Sequence, residues 1–276
     1  MNGGMFMTQI IMLGTGHGAT MDLYNTCFAI QNNQGVFLID TGGSVEILKR
    51  LSHARIPLSS INHIFISHSH TDHILGFIWM FKKLGVMAMH GELEGKLNVY
   101  CNDVVYEAIL EISKYVFPKR LVQIMNEVVN FVILNDGDKY VIHGIEYQFF
   151  DILAKGTKQF GFECQLENQR FLFLGDEPLN EKLYDRVSGA DYVTHEAFCL
   201  DREEPIFNAY EKNHSTALSV ARTMNELGVK NLILYHTEES HKENRKQLYI
   251  EEAKQVFSGN VLVPDDLEVI QFVTTK

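Results

Sequence analysis

Residues 67–73 read Ser-His-Ser-His-Thr-Asp-His, placing three imidazoles and a carboxylate within six consecutive positions, His68 to His73. Imidazole nitrogen and carboxylate oxygen are the donors that zinc, manganese and iron accept. Apolar runs flank the segment (INHIFI before, ILGFIWMF after), and packing gives no reason for so many titratable groups between them. In an extended loop His68 and His70, two apart, point the same way, whereas Asp72 and His73 at a helix start aim elsewhere. The spacing therefore predicts two metals rather than one.

The flanking elements have to position these donors. The pattern predicts a strand over 62–67 and a buried helix from 74, closed by Gly85. Upstream it predicts strands over 9–13, 27–31 and 36–40, with a hairpin turn at 31–35 and a helix to 54 capped by Ser44. A strand over 97–101 and a helix over 103–115 follow. Five strands are expected in the middle, over 129–134, 139–142, 145–152, 160–166 and 170–174. The last third alternates again: helix 178–187 opening with Pro178, strand 191–195, helix 215–227, strand 230–236, helix 241–256, then strands near 261–263 and 267–273. Helices on both sides of a strand-rich middle predict an α/β protein with two packed sheets and helices outside.

The chain has 276 residues, 46% hydrophobic and 21% charged, which supplies a large core. No linker or repeat is visible, so a single domain over 1–276 is expected. Lys plus Arg is 24 against 35 Asp plus Glu, a formal net charge of −11. That excludes a globally basic nucleic-acid binder, though not a local basic patch. Cys27, Cys101, Cys164 and Cys199 are far apart, which argues against a disulfide framework or a zinc ribbon. No apolar run reaches ~18 residues, and the first residues lack the basic and apolar regions of a signal peptide. A cytoplasmic location is the expectation. Gly14, Gly16 and Ala19, with Asp40 about 20 residues on, imitate a dinucleotide fingerprint. Only a few residues separate Ala19 from the next β-rich run, too few for the crossover helix that such a site needs.

With Gly76 after it, the SHSHTDH run resembles the signature of the metallo-β-lactamase fold superfamily. Asp40-Thr41-Gly42, Gly175-Asp176 after FLFL, and His236 after NLILY resemble that superfamily's further motifs, in the same order. LGTGHGA near the start, Thr194-His195-Glu196-Ala197-Phe198 and Asn213-His214-Ser215-Thr216-Ala217 are similar to the ribonuclease Z branch. The resemblance implies an αββα four-layer sandwich, two mixed sheets packed face to face with helices on both outer faces. It implies that His68 and His70 bind one metal, that Asp72, His73 and His236 bind a second, and that Asp176 bridges them. Asp40 would hydrogen-bond the ligand loop, as metal ligands require. Asp72 would orient the nucleophile, and Glu196 and His214 would form the proton-donating pair. His195 is expected to pack behind the ligands rather than ligate.

Three departures from the branch stand out. Counting back from Gly161, the position of a further histidine ligand holds Lys155, whose ammonium cannot ligate. His17 and His143 are the candidates to replace it, or Lys155 clamps an anionic substrate group. The tRNA-processing enzymes carry a long arm before the bridging aspartate, whereas only residues 156–175 separate Lys155 from Asp176 here. With the acidic charge, this disfavours tRNA as substrate. Thr237-Glu238-Glu239 replaces a run with a basic residue, which adds acid near the mouth.

The resemblance therefore implies a metal-dependent hydrolase using two zinc ions, or one if Lys155 empties a site, with manganese or iron as alternatives. It would act on a small phosphodiester, or another ester, through a metal-bound hydroxide. The alternative is a degenerate single-metal or ligand-binding member with little turnover; an iron-dependent oxidative relative is a third reading. A homodimer is expected from the branch, with 77–89 as the candidate interface, although core packing is the alternative use of that stretch.

Overall fold

The computed structural model describes residues 8–93 and 95–273. Strand β1 (Gln9–Gly14) opens an antiparallel meander with β2 (Cys27–Asn32) and β3 (Gly35–Ile39). From β3 the sheet turns parallel, through β4 (Ile61–Ile66), β5 (Leu97–Cys101) and β6 (Val129–Ile133). The second sheet repeats the plan. An antiparallel meander of β7 (Lys139–Ile142), β8 (Ile145–Asp151), β9 (Phe160–Leu166) and β10 (Gln169–Phe173) gives way to parallel β11 (Tyr192–Glu196), β12 (Asn231–Tyr235) and β13 (Asn260–Leu262). The closing strand β14 (Val269–Gln271) returns to pair with β1, so each sheet has seven strands.

The helices are α1 (Ile47–His53), α2 (Thr71–Met89), α3 (Asp103–Val116), α4 (Lys119–Val128), α5 (Tyr184–Val187), α6 (Glu204–Phe207), α7 (Ala217–Glu226) and α8 (Arg245–Ala253). Three apolar layers result. Between the sheets lie Phe28, Phe37, Phe65, Phe149, Phe162, Phe173 and Tyr235. Outside the first sheet, Ile47, Phe77, Phe81, Ile109 and Leu121 bring α1 to α4 down onto it. Outside the second, Val220, Met224, Tyr249 and Ala253 do the same for α7 and α8. This is the expected αββα sandwich. Sheets covered on both faces explain why strands such as β3 read as unbroken apolar runs: Phe37 and Ile39 face the middle layer, Val36 and Leu38 the outer one. Each fully buried Phe contributes roughly 1.5–3 kcal/mol.

Several elements differ from the sequence expectation. Helix α2 starts at Thr71 and passes through Gly85, which caps nothing. A Cβ at Gly85 would lie 2.3 Å from Leu121 Cδ1, so the glycine lets α4 approach closely. Helix α4 itself was not anticipated. Helix α1 begins at Ile47, and Ser44 Oγ accepts from Glu46 N (3.3 Å) in a turn before it. The expected helix over 178–187 shrinks to α5, because Asn180 is extended and accepts from Lys182 N. Residues 241–244 form turns ahead of α8 rather than its first turn. Of the five middle strands, β6 joins the first sheet and only four build the second. In α2, Phe77, Met80, Phe81 and Leu84 pack in the core, while Trp79, Val86 and Met89 stay partly exposed.

Candidate metal centre

The site lies where the carboxyl ends of β3 and β4 meet those of β10, β11 and β12, at the switch from antiparallel to parallel pairing in both sheets. Ligand sites in open α/β sheets gather at such switch points. After β3, Asp40 turns into the left-handed region (φ 54°). There its Oδ1 accepts from Ser67 N, and its Oδ2 from Ser67 Oγ and His73 Nδ1, all at 2.8 Å. Thr41 ties the same loop to α2, donating from Oγ1 to His73 O (2.7 Å) and accepting from Phe77 N (2.9 Å). Gly76 is required here, because a Cβ would come within 1.9 Å of Thr41 O. The start of α2 at Thr71 puts Asp72 and His73 in its first turn, with His68 and His70 in the extended segment before it.

The second sheet delivers Asp176 and His236. Gly175, with φ 71°, turns the chain after β10, and Tyr235 Oη donates to its carbonyl. Asp176 N donates to Gln159 Oε1 (3.3 Å). His236 is left-handed (φ 56°) at the end of β12. The next residue, Thr237, is held by the buried guanidinium of Arg245, which donates to Thr237 Oγ1 at 2.9 Å.

These segments converge on one carboxylate. Asp176 Oδ2 lies 3.3 Å from His68 Nε2, 3.3 Å from His73 Nε2 and 3.5 Å from His236 Nε2. Asp72 Oδ2 lies 3.4 Å from both His73 Nε2 and His236 Nε2. His68 Nε2 is 3.0 Å from His70 Nδ1. Two donor groups share Asp176: His68 with His70, and Asp72 with His73 and His236. Burial by itself would raise the Asp176 carboxyl, but His68 and His73 outweigh it and hold it well below the usual carboxylate range. The Asp72 carboxyl is held down in the same way by His73 and His236. Buried His73 Nε2, Asp176 Oδ1 and His236 Nδ1 have no hydrogen-bond partner among the described residues. Ionised carboxylates, converging imidazoles and orphaned buried donor atoms fit divalent cations.

A third group stands beside them. Glu196, fully buried at the end of β11, accepts from Ser215 N (2.6 Å) and Phe198 N (3.2 Å). Its Oε2 is 3.7 Å from His214 Nδ1, a close ion-pair distance rather than a hydrogen bond. The His214 ring stacks on Phe198 with centroids 4.8 Å apart. Burial pushes the Glu196 carboxyl up, and burial with nearby His236 pushes His214 down to about 4. Both shifts favour the uncharged form of the pair.

Neither histidine proposed to complete the first group does so. His17 Nε2 is paired with Glu238 (3.0 Å) and its Nδ1 accepts from Ala19 N (3.2 Å), although its ring borders the site. His143 lies in the β7–β8 turn, its ring 5.0 Å from that of His63 and away from the ligands. Buried His195 is bonded from Nδ1 to Glu196 O (2.7 Å). Lys155 is exposed and stands outside both donor groups. The two acids after Thr237 pin the entrance loop: besides the Glu238 pair, Glu239 accepts from Met21, Asp22 and Leu23 N.

A cleft of about 300 Å³ opens over the centre, lined by His70, Asp72, Asp176, His214, His236, Phe198 and Lys212 among others. Sequence reasoning missed Lys212 and Gln159. Lys212 lies two positions before His214, within reach of that motif, whereas nothing local marks Gln159.

The fold is that of the metallo-β-lactamase proteins. The chain belongs to the family described as anti-Pycsar protein Apyc1, whose model matches residues 8–256. It is 22% identical to a ribonuclease Z of Bacteroides fragilis, over 94% of this chain and 97% of that protein. Among solved structures it is similar to the metallo-β-lactamase fold protein YhfI of Bacillus subtilis (TM-score 0.77, 18% identity, 96% and 99% covered). It is also similar to a diphosphatase of the PhnP family (TM-score 0.72, 16% identity, 96% and 98% covered).

Proposed function

We propose that this protein hydrolyses a small phosphodiester, using two divalent cations. The observation that carries the reading is Asp176 Oδ2, within 3.5 Å of three histidines, two from the 68–73 run of one sheet and one from the end of β12 in the other. His68, His70 and Asp176 would hold one cation; Asp72, His73, Asp176 and His236 would hold the other. Zinc suits this donor set, with manganese as an alternative. Bound there, the cations supply Lewis acidity and bring the pKa of water from about 15.7 to near 7.

The chain's own groups do the rest. Asp72, on the wall of the cleft, accepts a hydrogen bond from the attacking water and orients it. Hydrolysis breaks one P–O bond, and the departing oxygen needs a proton. His214 Nε2 delivers it while Nδ1 takes the proton of the Glu196 carboxyl, which leaves a carboxylate beside a neutral imidazole. The Glu196–His214 pair keeps one proton in its neutral form, in agreement with the direction of both shifts. Lys212 offers a cation to the phosphoryl oxygens.

Relatives and neighbours named ribonuclease Z and diphosphatase support hydrolysis at phosphorus. The short hairpin of β9 and β10 between Lys155 and Asp176 leaves no arm for a large RNA, which supports a small substrate. The description anti-Pycsar attaches the family to antagonism of Pycsar, and cleavage of a phosphodiester is the chemistry we assign to that antagonism.

Zinc- or manganese-loaded protein, with metal content determined by mass spectrometry, is expected to cleave bis(p-nitrophenyl) phosphate. Asp176→Asn is expected to lose metal and to lower kcat/KM by at least about 10²-fold. Fully loaded wild-type protein that cleaves no phosphodiester overturns the reading.

A further inference from the structure

His214 faces two spaces. One is the cleft over the donor groups; the other is a larger cleft of about 560 Å³ beside it. Lys155, Lys182, Glu181, Tyr184 and Leu153 line the larger one, together with Glu177, the neighbour of Asp176. Glu177 is buried, and its two carboxylate oxygens accept from Lys155 N (2.7 Å) and Gly156 N (3.1 Å). That carboxylate fixes the Lys155 backbone while leaving its side chain free. Neither Lys155 nor Lys182 has an ion-pair partner among the described residues, in a chain with eleven more acids than bases. With Glu177 held by backbone amides and Glu181 the other acid lining the cleft, two lysines without an ion-pair partner offer a place for electron-rich groups.

We infer that this cleft receives the leaving group of the phosphodiester and that Lys155 selects a leaving group bearing an anionic or acceptor-rich substituent. The inference rests on the phosphodiesterase reading and adds a specificity-determining residue to it. His214 sits at the junction, where the leaving oxygen takes its proton, and the space beyond it is the direction in which that group extends. A cleft of this size holds one ring with substituents. Tyr184, Leu153 and Leu179 supply apolar surface for the ring, and the two ammonium groups supply the charge. In this role Lys155 is not a failed ligand, because its charge acts on substrate instead of metal.

The test compares methyl 4-carboxyphenyl phosphate with methyl phenyl phosphate, which differ only in a charge on the leaving ring. Wild-type protein is expected to show a KM about tenfold lower for the carboxylated ester, equivalent to about 1.4 kcal/mol. Lys155→Ala is expected to erase that preference with metal content unchanged, Lys155→Arg to keep it and Lys155→Glu to reverse it. An unchanged KM ratio in Lys155→Ala overturns the inference, as does Lys155→His gaining both a bound metal and activity, which marks the position as a lost ligand. In either case activity on bis(p-nitrophenyl) phosphate leaves the parent reading standing. Loaded wild-type protein inert on every diester removes the parent reading first.

Discussion

Asp40 touches no part of the cleft, yet three hydrogen bonds from Ser67 and His73 end on its carboxylate. It fixes the tautomer of His73 by accepting a hydrogen bond from Nδ1–H, which leaves Nε2 as the donor atom. Asp40→Asn keeps the shape and tolerates the left-handed backbone but loses the charge. Zinc affinity is expected to fall about 10–100-fold, read by competition with a chelating dye. Unaltered affinity would reduce Asp40 to a turn residue. At this scale the sequence is uneven. His68, His70, Asp72 and His73 are legible because they are contiguous and serve no packing end. Asp176 and His236 are single polar residues at strand ends and gain meaning only through resemblance. Gln159 and Lys212 come beside the centre through proximity that only folding creates.

Elements position these groups through close backbone approach. The second turn of α2 rests on the carbonyl of Thr41, and Gly76 permits it. Gly76→Ala drives a methyl into a carbonyl oxygen that cannot retreat, because Thr41 is bonded to both His73 and Phe77. We expect a loss of about 2–4 kcal/mol in urea unfolding, together with weaker metal binding from displacement of His73. A stable variant with full metal content would show that the contact is slack. Most strands and their limits were readable from short apolar runs between turns. The errors have physical causes. Gly85 looked like a helix end but serves packing against Leu121. Pro178 looked like a helix opening, yet Asn180 starts a tight turn instead. The long middle run of strands gave no sign of where one sheet ends and the next begins, because pairing partners are a tertiary property.

At the level of the whole molecule, acid sensitivity follows from buried imidazoles. His195 is enclosed by the second sheet, and burial pushes its pKa down to about 4. The unfolded chain carries the same group near 6.5 and so takes up a proton that the folded state refuses. Its contribution is therefore fully present above about pH 6.5 and is lost as pH falls towards about 4, worth about 3 kcal/mol. Urea titrations at pH 7.5 and 4.5 are expected to show His195→Gln losing about 2–3 kcal/mol less on acidification than wild type. Equal losses would place the acid sensitivity elsewhere. The four-layer plan was legible from the order of motifs and from helices bracketing strands. The absent arm was equally legible, as a simple count of residues between two landmarks.

The donors come from both halves of the sandwich: Asp40 and the 68–73 run from one sheet, Asp176 and His236 from the other. Each half alone presents an incomplete set, so no nascent or half-built chain offers the full grip on an ion. On the proposed reading, capture of metal would report that the two halves have docked, and it would stitch together regions more than a hundred residues apart in the chain. Synthesis would have to run past His236 before that knot could tie, which would make the last quarter of the polypeptide the gatekeeper of a centre whose most visible residues lie in the first third.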